Sequence, residues 1–327
     1  MRLNVTISLV FLTSITLASI PPGMEDALTT SNVPAEYLEY VFLLGGFPII
    51  QSRSDPRVSY GVYVPKDHYN ELSNSTQDKL PLLVNIHGTS RRMTALQVDD
   101  QLPKFADEIG CAVLAPLFPA GIEGPNDISS FKVLHTDSLR SDLALLNILD
   151  EVAYRWPGID TTRIYLSGFS GGGQFAHRFL YLHPYRIAAA SIGAPGRVTY
   201  PDQSKPWPQG ISDVGEIFNT TVSMTNLNEV SLQFVVGEKD TEIHGSSKFW
   251  EWLEKVMGSA DDLPPMNESR LDTVKKLRDT WTAAGVDSLL TIVPGVAHDS
   301  EDPAMRKALW EFLGDQIRTR RSESHNL

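Results

Sequence analysis

Arg163-Ile164-Tyr165-Leu166-Ser167-Gly168-Phe169-Ser170-Gly171-Gly172-Gly173-Gln174 is the stretch whose reading decides the fold. Its first five residues read as a buried strand. Gly168-Phe169-Ser170-Gly171-Gly172 follows at once, and Gln174 to Leu182 continues with helical periodicity. Strand, tight turn and helix are the setting that a Gly-x-Ser-x-Gly elbow requires. A side chain at Gly168 or Gly172 would strike the neighbouring strand or helix, and the serine is forced into a strained conformation that lifts its hydroxyl clear of the sheet. The elbow also leaves the backbone N–H of Gly171 at a helix N-terminus, where free donors and the helix dipole favour a developing negative charge. A phosphate-binding turn is the competing reading. It would need Gly-Lys-Ser or Gly-Lys-Thr, or glycines spaced Gly-x-Gly-x-x-Gly, and Gly168, Gly171, Gly172 and Gly173 match neither.

A neutral serine hydroxyl is a poor nucleophile, so Ser170 needs a base that titrates near neutrality and a third group that fixes the base's tautomer. Such groups belong on loops at the C-terminal ends of strands, where parallel sheets bind ligands. Leu232 to Val236 is followed by Gly237-Glu238-Lys239-Asp240, and Leu289 to Val293 by Pro294-Gly295-Val296-Ala297-His298. The expected set is therefore Ser170, Asp240 and His298, in the chain order usual for this kind of site. Of the eight histidines, His298 alone follows a late strand. His244 is the nearest rival because it lies close to Asp240, and Glu238 could stand in for Asp240. A second oxyanion donor is expected from the loop after Leu82 to His87: Gly88 lets the backbone approach a substrate, and the N–H of Thr89 is the donor, with Gly171 supplying the other. His87 reads as a structural histidine. Neither His-Glu-x-x-His nor paired Cys-x-x-Cys occurs, so no metal is expected.

Outward from this centre, strand-like runs recur at Pro48 to Ser52, Val58 to Val64, Leu82 to His87, Ala112 to Ala115, Arg163 to Ser167, Ala188 to Ile192, Leu232 to Val236 and Leu289 to Val293. Amphipathic stretches lie between them at Gln101 to Ile109, Ser138 to Tyr154, Gly172 to Leu182, Ser247 to Met257, Leu271 to Ala284 and Pro303 to Ile317. This alternation predicts an α/β fold with a mostly parallel sheet of eight strands and helices on its faces. Arg53-Ser54-Asp55-Pro56 reads as the turn of an antiparallel pair at its start. Gly196 to Asn228 is too long and too irregular for a plain connection, and reads as a lid or a disordered insertion. The lid and the loop Pro119 to Thr136 are expected to wall the acyl pocket. The tail Thr319 to Leu327 reads as frayed.

The N-terminal run to Ile20 joins one early cation, Arg2, to an apolar segment ending in Thr16-Leu17-Ala18. It resembles a secretory signal cleaved after Ala18, with a retained anchor or a buried segment as alternatives, and residues 19–327 then form a single domain. No other stretch could cross a bilayer. Asn74-Ser75-Thr76, Asn219-Thr220-Thr221 and Asn267-Glu268-Ser269 are glycosylation triplets that agree with secretion. The one cysteine, Cys111, cannot form an internal disulfide and reads as a small buried hydrophobe. An apolar share of 42% is that of a chain able to bury a core, and a net charge of −12 gives no footprint for nucleic acid.

Taken together, His87-Gly88, Gly168 to Gly172, Gly237 to Asp240 and Gly295 to His298 resemble the α/β-hydrolase superfamily over about residues 45 to 318. Ser167 to Pro184 resembles esterase-like or peptidase-like members, many of them fungal, some secreted and some accompanying natural-product pathways. The resemblance implies an eight-stranded sheet whose first strands are antiparallel, a cap after strand six, and no cofactor. The oxyanion loop has a single glycine rather than three, which departs from many lipases. The expected activity is hydrolysis of a small or medium-sized carboxylic ester. The same residues would serve a peptidase or amidase, or an acyl transferase or cyclase, and a non-catalytic binding protein of this fold is the alternative of another class. Oligomeric state is not legible.

Overall fold

Runs of β-branched and aliphatic residues pair side by side because each is apolar on both faces and must be covered on both. In the computed structural model, residues 20–42, 48–71, 79–91, 101–125, 127–242 and 268–324 are described. The strands are β1 (Ile49–Gln51), β2 (Ser59–Tyr63), β3 (Leu80–Ile86), β4 (Ala112–Leu117), β5 (Ile159–Phe169), β6 (Ile187–Gly193), β7 (Ser231–Gly237) and β8 (Leu289–Val293). They form one sheet in the order β1-β2-β4-β3-β5-β6-β7-β8. β1 pairs with β2 and β2 with β4 antiparallel, and every other pairing is parallel. The chain leaves β3 towards β4 on one side and returns to β5 on the other. The crevice at the C-terminal ends of β3 and β5 is thus the switch point where sheets of this kind hold ligands.

The helices used below are α1 (Gln101–Ile109), α2 (Ser130–Val133), α3 (Ser141–Arg155), α4 (Gly171–Leu182), α5 (Val214–Phe218), α6 (Met224–Asn228), α7 (Arg270–Ala283) and α8 (Pro303–Ser324). All twelve residues of α4 are buried, as expected of a helix packed on every side. Helix α3 begins at Ser141, three residues later than periodicity alone suggests, because Ser138 is held in a turn by Glu123. Helix α8 runs through the tail expected to fray. Arg321 donates from Nη1 to the carbonyl of Ile109 (2.9 Å) and from Nη2 to that of Gly110 (2.5 Å), satisfying carbonyls at the end of α1 and anchoring the last turns. The amphipathic stretch Ser247 to Met257 lies outside the described residues, as do the segment 1–19, Asn74, Asn267, His244 and His325.

The irregular segment after β6 carries α5 and α6, and its start is fastened to α4. His177 Nε2 accepts the backbone N–H of Thr199 (3.0 Å), Arg178 Nε donates to Thr199 Oγ1 (2.9 Å), and Tyr181 Oη donates to the Thr199 carbonyl (2.9 Å). Farther along, Trp207 Nε1 donates to the carbonyl of Val133 (2.6 Å). Among the described residues no helix is long and apolar enough to cross a membrane.

Candidate active site

The turn after β5 is built by glycines that nothing larger could replace. A Cβ on Gly168 would lie 2.4 Å from the Gly172 carbonyl oxygen, one on Gly172 would lie 2.2 Å from that of Ile86, and one on Gly173 would lie 2.3 Å from that of Gly193. The first turn of α4 is therefore seated directly on the ends of β3, β5 and β6. Gly173 belongs to this requirement as much as the two glycines of the motif. Ser170 takes φ 56° and ψ −112°, a strained backbone for a residue with a side chain, and its N–H is held by the Gly193 carbonyl (2.8 Å).

The loops after β7 and β8 are stitched to one another. Lys239 N donates to the Val296 carbonyl (2.8 Å), Glu238 N to that of Val293 (2.9 Å), and a Cβ on Gly237 would lie 2.3 Å from the Val296 oxygen. This contact brings Asp240 and His298 together. Asp240 is 2% exposed, and its Oδ2 accepts from His298 Nδ1 at 2.6 Å. A carboxylate at Nδ1 keeps the proton there, which leaves Nε2 free to accept from Ser170 Oγ at 3.0 Å. The Phe169 ring packs on the imidazole with centroids 4.8 Å apart. Burial lowers the His298 pKa from its ordinary 6.5; the Asp240 hydrogen bond opposes that shift, and the Arg270 cation adds to it. Glu238, the rival acid, instead accepts the Gly295 N–H (2.7 Å) and so shapes the turn that delivers His298.

Arg270, at the start of α7, approaches the other carboxylate oxygen of Asp240 at 3.4 Å. Sequence reasoning missed it, since it lies thirty residues downstream and nothing local marks it.

Thr89 and Gly171 lie against one another. A Cβ on Gly171 would lie 2.8 Å from both the backbone N and the Oγ1 of Thr89. The Thr89 loop is held from beneath by His87. That ring is 4% exposed, donates from Nδ1 to the Gly88 carbonyl (2.8 Å) and accepts the Phe118 N–H at Nε2 (3.0 Å). Burial pushes its pKa down to about 4, so it stays neutral as this pattern demands. Arg91 clamps the same loop, donating to the carbonyls of Thr89 (2.7 Å), Phe118 (3.0 Å) and Ile128 (3.0 Å).

Ser170 and His298 open onto a cleft of about 310 Å³, lined by residues of β3 and its loop, the end of β5, Arg270, the loop His298 to Glu301, and Arg306, Leu309 and Trp310 of α8. Among the described residues none from 119–136 or 196–228 lines this cleft; the latter segment is bonded to α4 and α2, and the Lys132 side chain lies against Gly171. Three other described histidines lie outside the cleft. His177 and His183 are buried, the latter bonded to Asp142 Oδ2 (3.0 Å), and His135 packs edge-on against Phe218. Asn219 is exposed at the end of α5. Cys111 is fully buried. Among the described residues no group of three or more His, Cys, Asp or Glu side chains could hold a metal ion.

No protein-family model matches the chain, and neither does any curated protein sequence. Solved structures do. A poly(3-hydroxybutyrate) depolymerase from Bordetella parapertussis superposes with a TM-score of 0.58 at 19% identity, over 86% of this chain and 95% of that one. Poly(aspartic acid) hydrolase-1 from Sphingomonas sp. KT-1 gives 0.56 at 19% identity, over 77% and 93%. The chain has the α/β-hydrolase fold. A ferulic acid esterase shares that fold with a TM-score of 0.53 at 17% identity, over 83% of this chain and 96% of its own. In an α/β-hydrolase fold the end of β5 and the loops after β3, β7 and β8 share one rim of the sheet. Here Ser170, Thr89, Asp240 and His298 occupy it.

Proposed function

We propose that this protein is a serine hydrolase that cleaves a carboxylic ester through an acyl-enzyme. Ser170 Oγ attacks the carbonyl carbon while His298 Nε2 takes its proton. Asp240 holds the imidazole and stabilises the cation that forms, and the N–H groups of Thr89 and Gly171 receive the developing oxyanion. Collapse expels the alcohol, which takes the proton back from His298. Water then enters by the same route and releases the acid.

The observation that carries this reading is the unbroken chain Ser170 Oγ to His298 Nε2 (3.0 Å) and His298 Nδ1 to Asp240 Oδ2 (2.6 Å), ending in a buried carboxylate. The poly(3-hydroxybutyrate) depolymerase and the ferulic acid esterase among the structural neighbours support the ester reading, and the poly(aspartic acid) hydrolase keeps an amide as the second reading. A secretory N-terminus and a glycan at the exposed Asn219 complete the proposal, with the mature protein outside the cytosol.

A fluorophosphonate probe tests the mechanism. Wild-type protein should form a stoichiometric adduct and hydrolyse short p-nitrophenyl esters faster than matched peptide anilides, and Ser170→Ala should lose both adduct and turnover. An adduct that survives Ser170→Ala overturns the assignment.

A further inference from the structure

A row of polar side chains crosses the sheet beneath helix α8, where an aliphatic core would be expected. Asn85 of β3 is the register partner of Ser167 of β5, Ser167 of Ser191 of β6, and Ser191 of Gln233 of β7. Residues in register on neighbouring strands share a face. On the β7 side the row satisfies itself: Ser191 Oγ donates to Gln233 Oε1 (3.2 Å), and Gln233 Nε2 donates to Thr291 Oγ1 (2.8 Å). On the β3 side it does not. Ser167 is 1% exposed, its Oγ has no hydrogen-bond partner among the described residues, and the hydroxyl of Ser191 is turned away towards Gln233. A buried hydroxyl with no partner is unfavourable unless something else bonds it.

Ser167 and the half-buried Asn85 both line the cleft that opens on Ser170. Leu309 and Trp310 of α8 form its apolar wall, and the nearby cations are already matched: Arg306 bonds the Glu301 carboxylate, and Arg270 is paired with Asp240. The floor therefore offers an uncharged donor–acceptor pair beside apolar surface. His298 must hand its proton to the departing alcohol, and it lies on the open side with its side chain 26% exposed. The arm held on the enclosed floor then belongs to the acyl group.

We propose that Ser167 and Asn85 form a specificity subsite for a neutral hydroxyl carried on the acyl arm of the substrate. This rests on the serine-hydrolase reading of Ser170 and adds the substrate class to it. Ser167 and Ser170 lie three residue steps apart, about 10 Å of fully extended chain. The elbow and the side chains shorten that span, so the hydroxyl belongs several carbons from the carbonyl.

The test uses p-nitrophenyl alkanoates from butanoate to heptanoate and their terminally hydroxylated counterparts, turned over by wild type, Ser167→Ala and Asn85→Ala. Ser167→Ala removes an unbonded hydroxyl and should fold normally, which its thermal melt checks. Wild type should prefer the hydroxylated ester by about tenfold or more in kcat/KM at one chain length, the worth of one buried hydrogen bond. Ser167→Ala should abolish that preference, bringing the hydroxylated and plain esters of each pair to equal kcat/KM. Equal kcat/KM within every pair, or a preference that survives both substitutions, overturns the subsite. Calorimetric binding of methyl ketones with and without the terminal hydroxyl separates the two proposals. A hydroxyl-dependent affinity lost in Ser167→Ala supports the subsite even in a protein that turns over no ester, and hydroxyl-independent affinity overturns it.

Discussion

His87 offers the sharpest quantitative test of how the Thr89 loop is held. Its Nε2 must be unprotonated to accept the Phe118 N–H, and burial lowers its pKa to about 4 from 6.5. In the unfolded chain the ring titrates near its ordinary value, so between these two pH values the unfolded state binds the extra proton. Stability from this group is thus complete above pH 6.5 and is lost as pH falls towards 4. At 1.36 kcal/mol per pKa unit, about 3 kcal/mol disappears over that window. His87→Gln retains an amide able to accept the Phe118 N–H but cannot titrate. Urea unfolding of both proteins from pH 7.5 to pH 4 should show wild type more stable at the upper end by about 1–3 kcal/mol, the cost of imperfectly replaced buried hydrogen bonds. That advantage should shrink by about 3 kcal/mol at the lower end. His177 is depressed in the same direction by burial, but it is present in both proteins and cancels in the difference. A wild-type advantage that stays constant across the window would refute the claim that burial holds His87 neutral.

Two further predictions concern the proposed chemistry. Gly171→Ala puts a methyl 2.8 Å from the Thr89 nitrogen with no backbone strain, so it should lower kcat by about 10²–10³ through the crowded donor pair, with KM much less affected; wild-type kcat in this variant would remove Thr89 and Gly171 from the mechanism. Because burial first, and Arg270 in addition, lower the His298 pKa, the acid limb of kcat/KM should have its midpoint below pH 6.5. Arg270→Gln should move that limb to higher pH, and an unmoved or lower midpoint in the variant would show that the cation has no influence on the base.

The fold was legible because its signals are local. The glycines of the elbow are required by contacts within β5 and α4 and with the adjacent strand ends, and Asp240 and His298 each announce themselves by following an apolar run. Arg270 was hidden for the opposite reason: α7 is an ordinary helix in sequence, and its first residue gains meaning only where it meets Asp240. The anchoring of 196–228 was hidden in the same way: length and irregularity suggested a lid, and the bonds from His177, Arg178 and Tyr181 that fasten its start to α4 cross between segments. The tail was read as frayed from its polarity, although one guanidinium bonded to two carbonyls holds it as helix.

Sequence alone settled the order and kind of the elements, the position of the Ser170 elbow, and the residue types able to surround it, because periodicity and turn chemistry act over a few neighbouring residues. Only the tertiary structure decided which carboxylate meets which imidazole, which walls enclose the cleft, and which buried hydroxyl is left facing it. Those outcomes depend on distances between segments far apart in the chain, which no local pattern encodes.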